Sequence, residues 1–312
     1  MSSGERILTD ADARDGVEFC GLSLAHPVIN GSGTFDAIAA RRAFGPALER
    51  ELPFAAFVSK TITLSPRAGN PAPRLWETPG GLINSIGLPN KGLDAYIAED
   101  LPQLSTLPVP LITNVMGSTA EEFSALVSAC DERAEIAAIE LNVSCPNVET
   151  GLDIGADPQQ LRQVVAAARA GTRKPLIVKL TPNTANVPAC AVAAQEGGAD
   201  AISLINTLRA MALAPGGDGG RRPWLGGSTG GLSGPAIRAV ALAQVAGVAG
   251  RVSIPIVGMG GVQRAAHARD LLDAGATLVA VGTETFRDPA AAARVVEGLR
   301  AERRSEAFSP TA

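Results

Sequence analysis

Histidine is nearly missing from this 312-residue chain: His26 and His267 are the only two. That argues against a metal centre built on imidazole, and any general base has to be sought among other side chains. Cysteine is scarce as well. Cys20, Cys130, Cys145 and Cys190 are the whole set, and no two of them share a C-x-x-C spacing, which argues against zinc or an iron–sulfur cluster within the chain. No basic run is present and the net charge is −4, so neither nucleic acid nor a membrane surface is expected as a partner. No apolar stretch reaches the roughly 18 residues of a spanning helix. The opening residues MSSGERILTDADARDG lack a signal-peptide core, and a cytoplasmic protein is expected. The G-x-G-x-x-G dinucleotide fingerprint does not follow the first strand, which favours a mononucleotide cofactor over NAD.

What the chain does have is an alternation. Eight short apolar runs of β type recur: Pro27–Asn30, Phe54–Ile62, Pro110–Met116, Ala137–Ser144, Pro175–Leu180, Ala199–Asn206, Ile254–Met259 and Leu278–Gly282. Ala-rich helical stretches lie between them, including Ala120–Cys130, Pro158–Ala170, Val187–Glu196, Pro235–Ala246, Gln263–Ala274 and Pro289–Arg300. Thr119, Asp157, Ser233 and Asp288 stand at cap positions. Continuous apolar strands alternating with helices imply a parallel sheet, and eight units imply a (β/α)8 TIM barrel. A doubly wound open sheet is the alternative. Val17–Leu24 reads as a short β-hairpin before the barrel. The expected organisation is a flexible N-terminus over 1–16, one barrel domain over 17–304 and a disordered tail over 305–312. Two long loops, Thr63–Ala98 and Leu208–Gly231, interrupt the alternation, and loops of that length in a compact domain are usually functional.

In such a barrel the chemistry collects at the carboxyl ends of the strands. Polar residues fall there in every run: Asn30 to Thr34, Ser59-Lys60-Thr61, Asn114, Asn142 with Ser144 and Cys145, Lys179, Asn206-Thr207, Gly260-Gly261 and Gly282-Thr283. Lys60 and Lys179 in apolar surroundings suggest an anion, because a buried ammonium is costly alone. Gly260-Gly261 and Gly282-Thr283, after the seventh and eighth runs, suit a phosphate held by backbone N–H groups. Asn84, Asn114, Asn142, Asn147 and Asn206 offer paired donors and acceptors that match the edge of a pyrimidine or flavin. Cys145, between a hydroxyl and Pro146, suits a thiolate base. Cys20, Cys130 and Cys190 read as structural.

The longer motifs identify a family. Ser59-Lys60-Thr61, RAGNPAPR at 67–74, ETP at 77–79, NSIGLPN at 84–90, NVSCPNV at 142–148 and GGLSGP at 230–235 together resemble class 1 dihydroorotate dehydrogenases, over Val17 to Leu299. The resemblance implies an FMN-bearing (β/α)8 barrel that oxidises dihydroorotate to orotate in pyrimidine biosynthesis. It implies that Cys145 takes the C5 proton while hydride passes from C6 to flavin N5. Ser32, Lys60, Thr61, Asn114, Asn142, Lys179, Ile205, Gly234, Gly260, Gly261, Gly282 and Thr283 would hold FMN. Lys60, Asn84, Ser85, Ile86, Gly87, Leu88, Asn142, Asn147, Asn206 and Thr207 would hold the substrate. The ETPGG and GGLSGPA stretches look like the NAD-linked class 1B catalytic subunit, which works with a subunit carrying FAD and a [2Fe–2S] cluster and is built on a homodimer core. NSIGLPNKGLDAYI also resembles the fumarate-linked class 1A, and the chain departs from both near Gly151–Asp157 and Gly216–Gly227. A dihydropyrimidine dehydrogenase-like subunit acting on uracil or thymine, and a flavin- or phosphate-binding barrel without turnover, are the alternatives.

Overall fold

A computed structural model describes residues 16–45, 48, 52–144, 154–216 and 219–308. Cys145 and Asn147 lie outside the described residues, as do 1–15 of the expected N-terminal segment.

Strands β1 (Val17–Phe19) and β2 (Leu22–Leu24) form the expected antiparallel hairpin. The eight apolar runs then become β3 (Val28–Asn30), β4 (Phe57–Val58), β7 (Leu111–Val115), β8 (Ile136–Asn142), β9 (Leu176–Lys179), β10 (Ala201–Leu204), β15 (Ile256–Met259) and β16 (Leu278–Val281). All neighbours in this sheet are parallel, in the order β3-β16-β15-β10-β9-β8-β7-β4. The ladder stops between β4 and β3, where a side chain completes the barrel. Asn30 Nδ2 donates to the Val58 carbonyl at 2.8 Å, and Asn30 Oδ1 accepts from the Val58 N–H at 2.7 Å. The backbone adds one bond, from Ala55 N–H to Val28 O at 2.9 Å. Asn30 is fully buried, so its amide replaces a ladder rung that would otherwise be missing.

The barrel interior changes character along its axis. Ile112, Ala138, Ile177, Ala201, Val257 and Leu278 form an apolar cluster with Phe19 and Leu24 of the hairpin, which plugs the amino-terminal end. Cys20 belongs to this plug and its Sγ donates to the Asp200 carbonyl at 3.4 Å. Higher up, the inward positions turn polar: Asn114 stands in register with Glu140, Asn142 with Lys179, and Lys179 with Ser203. Apolar side chains on the outer faces of the strands pack against the helices in a second cluster.

The helices follow from local signals. Thr119 accepts from Glu122 N–H before Ala120–Asp131, Asp157 from Gln160 N–H before Pro158–Ala170, and Asn186 from Ala189 N–H before Val187–Glu196. Ser233 does not cap: it is the last residue of β14 (Gly230–Ser233), and Pro235–Ile237 forms a 3-10 turn before Arg238–Ala249. The helix Ala291–Phe308 continues through 305–308, where a tail was expected. Its Arg- and Glu-rich sequence is a good helix former.

The two long loops are not structureless. The first contains β5 (Leu75–Thr78) and β6 (Gly81–Asn84) and already turns helical at Leu93. The second contains β11 (Leu208–Ala210), β12 (Leu213–Pro215), β13 (Arg221–Pro223) and β14. Four of these strands join in one antiparallel sheet, β11-β14-β6-β5, across the two loops, while β12 and β13 form a separate hairpin. No local pattern announces a pairing between segments so far apart in sequence.

The plug generates a prediction. Phe19 is fully buried at the closed end, and Phe19→Ala should destabilise the protein by about 3–5 kcal/mol. A denaturant midpoint indistinguishable from wild type would show that the hairpin is dispensable to the core.

Candidate active site

A cavity of about 790 Å³ opens at the carboxyl ends of the barrel strands, beneath the four-stranded sheet. That is the size of a site for a cofactor-sized ligand. Of the expected cofactor residues, Ser32, Lys60, Thr61, Asn142, Lys179, Ile205, Gly234, Gly260, Gly261, Gly282 and Thr283 line it. Of the expected substrate residues, Asn84, Ser85, Ile86, Gly87, Leu88, Asn206 and Thr207 line it too. Asn114 does not. It is fully buried, with its NH2 group donated to Glu140 Oε2.

One corner is built for an anion. Gly260 and Gly261, directly after β15, have φ of 137° and 70°. A Cβ on Gly261 would sit 2.7 Å from Arg238 Cβ, and one on Gly260 would sit 2.6 Å from Ala241 Cβ. Only glycine therefore lets this loop pass so close to the helix Arg238–Ala249. That helix and Ala265–Asp273 both start without a side-chain cap, which leaves first-turn N–H groups for a ligand. Gly282 and Thr283 face the same corner, and Thr283 makes no capping bond with its own side chain.

The opposite wall is made of amides. Asn206 Nδ2 donates to Ser144 Oγ at 3.0 Å and to Asn142 Oδ1 at 3.4 Å, and Asn206 Oδ1 accepts from Thr207 N–H at 2.9 Å. These bonds fix the Asn142 amide and leave its NH2 group toward the cavity. Asn84 spends its NH2 on the Gly231 carbonyl at 3.2 Å, so its carbonyl oxygen remains. The wall thus presents separate donors and acceptors at fixed places. The Asn84–Leu88 segment is held by Asn70, whose Nδ2 donates to Ser85 Oγ at 2.9 Å and whose N–H donates to Ile86 O at 3.0 Å. Gly87 and Leu88 have φ of 75° and 53°; for a leucine that is strained backbone, of the kind found at functional sites.

Positive charge lies between the two. Lys179 is almost buried and Lys60 projects into the open cavity from just beyond β4; neither makes an ion pair with the described residues. Desolvation by the surrounding protein lowers the Lys60 pKa; Asp36 opposes this and Arg74 adds to it. Arg67 and Arg209 also line the cavity, and sequence reasoning assigned neither a role. Arg67 stood inside a recognised motif, so that signal was present. Asn183 was missed altogether. It takes the Arg209 N–H at 2.9 Å and donates to Thr207 O at 3.0 Å, bonds that only the folded loops create.

The fold and this site define a (β/α)8 barrel with a ligand-binding mouth at its carboxyl end, one side suited to an anion and the other to a polar heterocycle. A family model described as dihydroorotate dehydrogenase matches residues 16–302, and the chain belongs to that flavin-dependent family. The catalytic subunit of dihydroorotate dehydrogenase B (NAD(+)) from Geotalea uraniireducens (strain Rf4) is 47% identical over 284 residues, 91% of each chain. The protein of the same description from Geobacter sulfurreducens is 44% identical over 280 residues, 89% of this chain and 90% of the relative. Among solved structures, DHODH from Eimeria tenella in complex with ferulenol superposes with a TM-score of 0.76. It is 23% identical and covers 96% of this chain and 88% of that one, a likeness of fold. Among the described residues no helix is long and apolar enough to cross a membrane.

The Gly87 backbone can be tested directly. A Cβ there would fall 2.4 Å from Asn70 N, at a φ that alanine disfavours. Gly87→Ala should therefore lower stability by about 1–3 kcal/mol, read as a drop in the thermal midpoint. An unchanged midpoint would contradict the close approach of Asn70.

Proposed function

We propose that this chain is the catalytic subunit of an NAD-linked dihydroorotate dehydrogenase that carries FMN and oxidises dihydroorotate to orotate. The observation that carries the reading is one cavity in which a glycine corner suited to an anion, two lysines with no ion-pair partner among the described residues and an amide wall face one another. A further feature fits a flavin. Asn114 Oδ1 is shielded from solvent and has no hydrogen-bond partner among the described residues, an arrangement that a bound N–H would relieve. When bound, FMN supplies the acceptor for the hydride that leaves C6 of dihydroorotate.

The chain's own residues have these roles. Gly260, Gly261, Gly282 and Thr283 would hold the phosphate of FMN, and Ser32, Thr61, Ile205 and Gly234, which line the same cavity, would hold the rest of the cofactor. Lys179 and Lys60 place positive charge where the ring and the substrate carboxylate gather negative charge. Asn84, Asn142, Asn206 and Thr207, with the backbone of Ser85 to Leu88, orient the dihydropyrimidine by fixed donors and acceptors, so that C5 and C6 are held for reaction. Asn147 belongs with this set. Cys145 is the base that removes the C5 proton. Support for Cys145 comes from its place in NVSCPN, whose preceding residues Asn142 and Ser144 line the cavity.

The NAD-linked assignment follows the relatives of the B type, and it requires a route for electrons out of the barrel. With four scattered cysteines the chain has no motif for a cluster of its own. The inferred partner is therefore a subunit carrying FAD and a [2Fe–2S] cluster, docked on a homodimer of this chain.

Three outcomes are expected. Under anaerobic conditions dihydroorotate should bleach a yellow holoprotein, whereas dihydrouracil and dihydrothymine should not. Colour without bleaching by any of the three would make the chain a flavin-binding barrel only, and bleaching by dihydrouracil would move the substrate to the dihydropyrimidine class. Cys145→Ala should keep FMN but nearly abolish the reduction, and a wild-type reduction rate would remove the base. For an ordinary thiol, with a pKa of roughly 8.5, reduction should speed up as pH rises from neutral to alkaline.

Thiol reactivity offers an independent check. Burial pushes Cys20 up to about 11 and Cys130 up to about 12, and raises Cys190 as well. Raised thiol pKa values keep the neutral form through neutral pH, and the stability they contribute is lost only as pH climbs from 9.0 toward 12. Native alkylation near neutral pH, mapped by peptide mass spectrometry, should thus mark Cys145 first. Equal labelling of Cys130 would contradict its burial.

A further inference from the structure

A buried carboxylate sits under the cavity floor and has no part in the roles above. Glu140 lies on β8, inside the barrel, and is 3% exposed. It takes its bonds from two uncharged donors on other strands: the hydroxyl of Ser203 on β10, at 2.6 Å, and the NH2 group of Asn114 on β7. The Asn114 main-chain N–H is also tied, to Ser59 Oγ at 3.1 Å. Residues two positions further along the same two strands, Met116 and Asn142, line the cavity. Asn114 and Glu140 therefore form the layer next beneath it.

A carboxylate offers only acceptors, so it dictates which end of a neighbouring amide faces it. Glu140 draws the NH2 end of Asn114 and forces the carbonyl end the other way. The result is the unpartnered Oδ1, an acceptor with its capacity unspent in a fully buried residue. An alanine or leucine at 140 would let the amide turn and lose that preference. The oxidised isoalloxazine ring has a single N–H, at N3, and its other heteroatoms at that edge accept. An acceptor is thus the one amide end that matches N3–H.

We propose that Glu140, held by Ser203, is a positioning residue that locks the Asn114 amide so that its Oδ1 accepts the N3–H of the flavin ring. The inference rests on the FMN reading given above and goes further, since it assigns a role to two residues that touch neither cofactor nor substrate.

The test uses the full-length chain reconstituted with FMN isotopically labelled at ring nitrogen N3. Binding is followed by flavin fluorescence and the N3–H proton by NMR. Wild type should show an N3–H resonance protected from solvent exchange. In Glu140→Gln the new amide can donate to Asn114 Oδ1 and release the lock; FMN affinity should fall roughly ten-fold, and the protection should be lost. Glu140→Asp keeps an acceptor-only group and should retain the protected resonance. A folded Glu140→Gln protein with the wild-type resonance, and affinity within about two-fold, overturns the proposal. Should Glu140→Gln fail to fold, Ser203→Ala decides: reduced protection supports the lock, and an unchanged resonance overturns it. Wild-type protein that binds no FMN at all would remove the cofactor reading itself and this inference with it, an outcome distinct from binding with an unaltered N3–H.

Discussion

Eight short strands close into a barrel here only because one side chain stands in for backbone. Between β3 and β4 the main chain contributes a single bond, and the Asn30 amide supplies both the donor and the acceptor that Val58 needs. An unpaired buried peptide group costs about 1–3 kcal/mol, and the seam would hold two of them. Closure matters beyond stability. The loops after β3, β4 and β16 carry Ser32, Lys60 and Gly282, three residues on one side of the cavity. A barrel open at this seam would let Lys60, after β4, part from Ser32 and Gly282, which stay with the Gly260 loop through the β3-β16-β15 ladder. The same asparagine therefore connects the architecture to the geometry of the site.

With the barrel closed, the interior becomes a graded column. The hairpin fills the amino-terminal end with Phe19 and Leu24, so that no side chain of the apolar layers has to serve two purposes. Polar groups can then accumulate at the other end without weakening the core. They do so in a connected way: hydrogen bonds link Asn114 and Ser203 to Glu140 beneath the cavity, and Asn206 to Asn142 and Ser144 along its wall. Buried polar groups of this kind are stable only as networks, and a network fixes orientation. Preorientation is what a site needs if it is to hold a flat heterocycle in one pose.

The barrel was legible because each strand is buried on both faces and reads as a continuous apolar run, and several helices, Ala120–Asp131, Pro158–Ala170 and Val187–Glu196 among them, open on a capping residue. The polar strand ends were legible for the same reason: Lys179 and Asn142 break apolar patterns. The covering sheet was not. Asn84 pairs with Gly231 across two loops, and that register depends on contacts made after the barrel has formed. Asn183 and Arg209 became site residues only through this sheet. Lys60 was read as part of a long strand, whereas β4 is two residues long and Lys60 projects from the loop beyond it.

Glu140 is the one charged residue in the run AAIELN, and it drew no reading there because the run reads as apolar throughout. Register sets it opposite Asn114 and Ile177, both buried. The group is tolerated because two donors from separate strands converge on it. Replacing the carboxylate by an apolar residue would leave the Asn114 NH2 group and the Ser203 hydroxyl without their acceptor inside the barrel. The carboxylate acts on its neighbour, whose NH2 end it draws toward itself. An amide left to itself has two nearly equivalent orientations, and only one of them leaves an acceptor under the cavity.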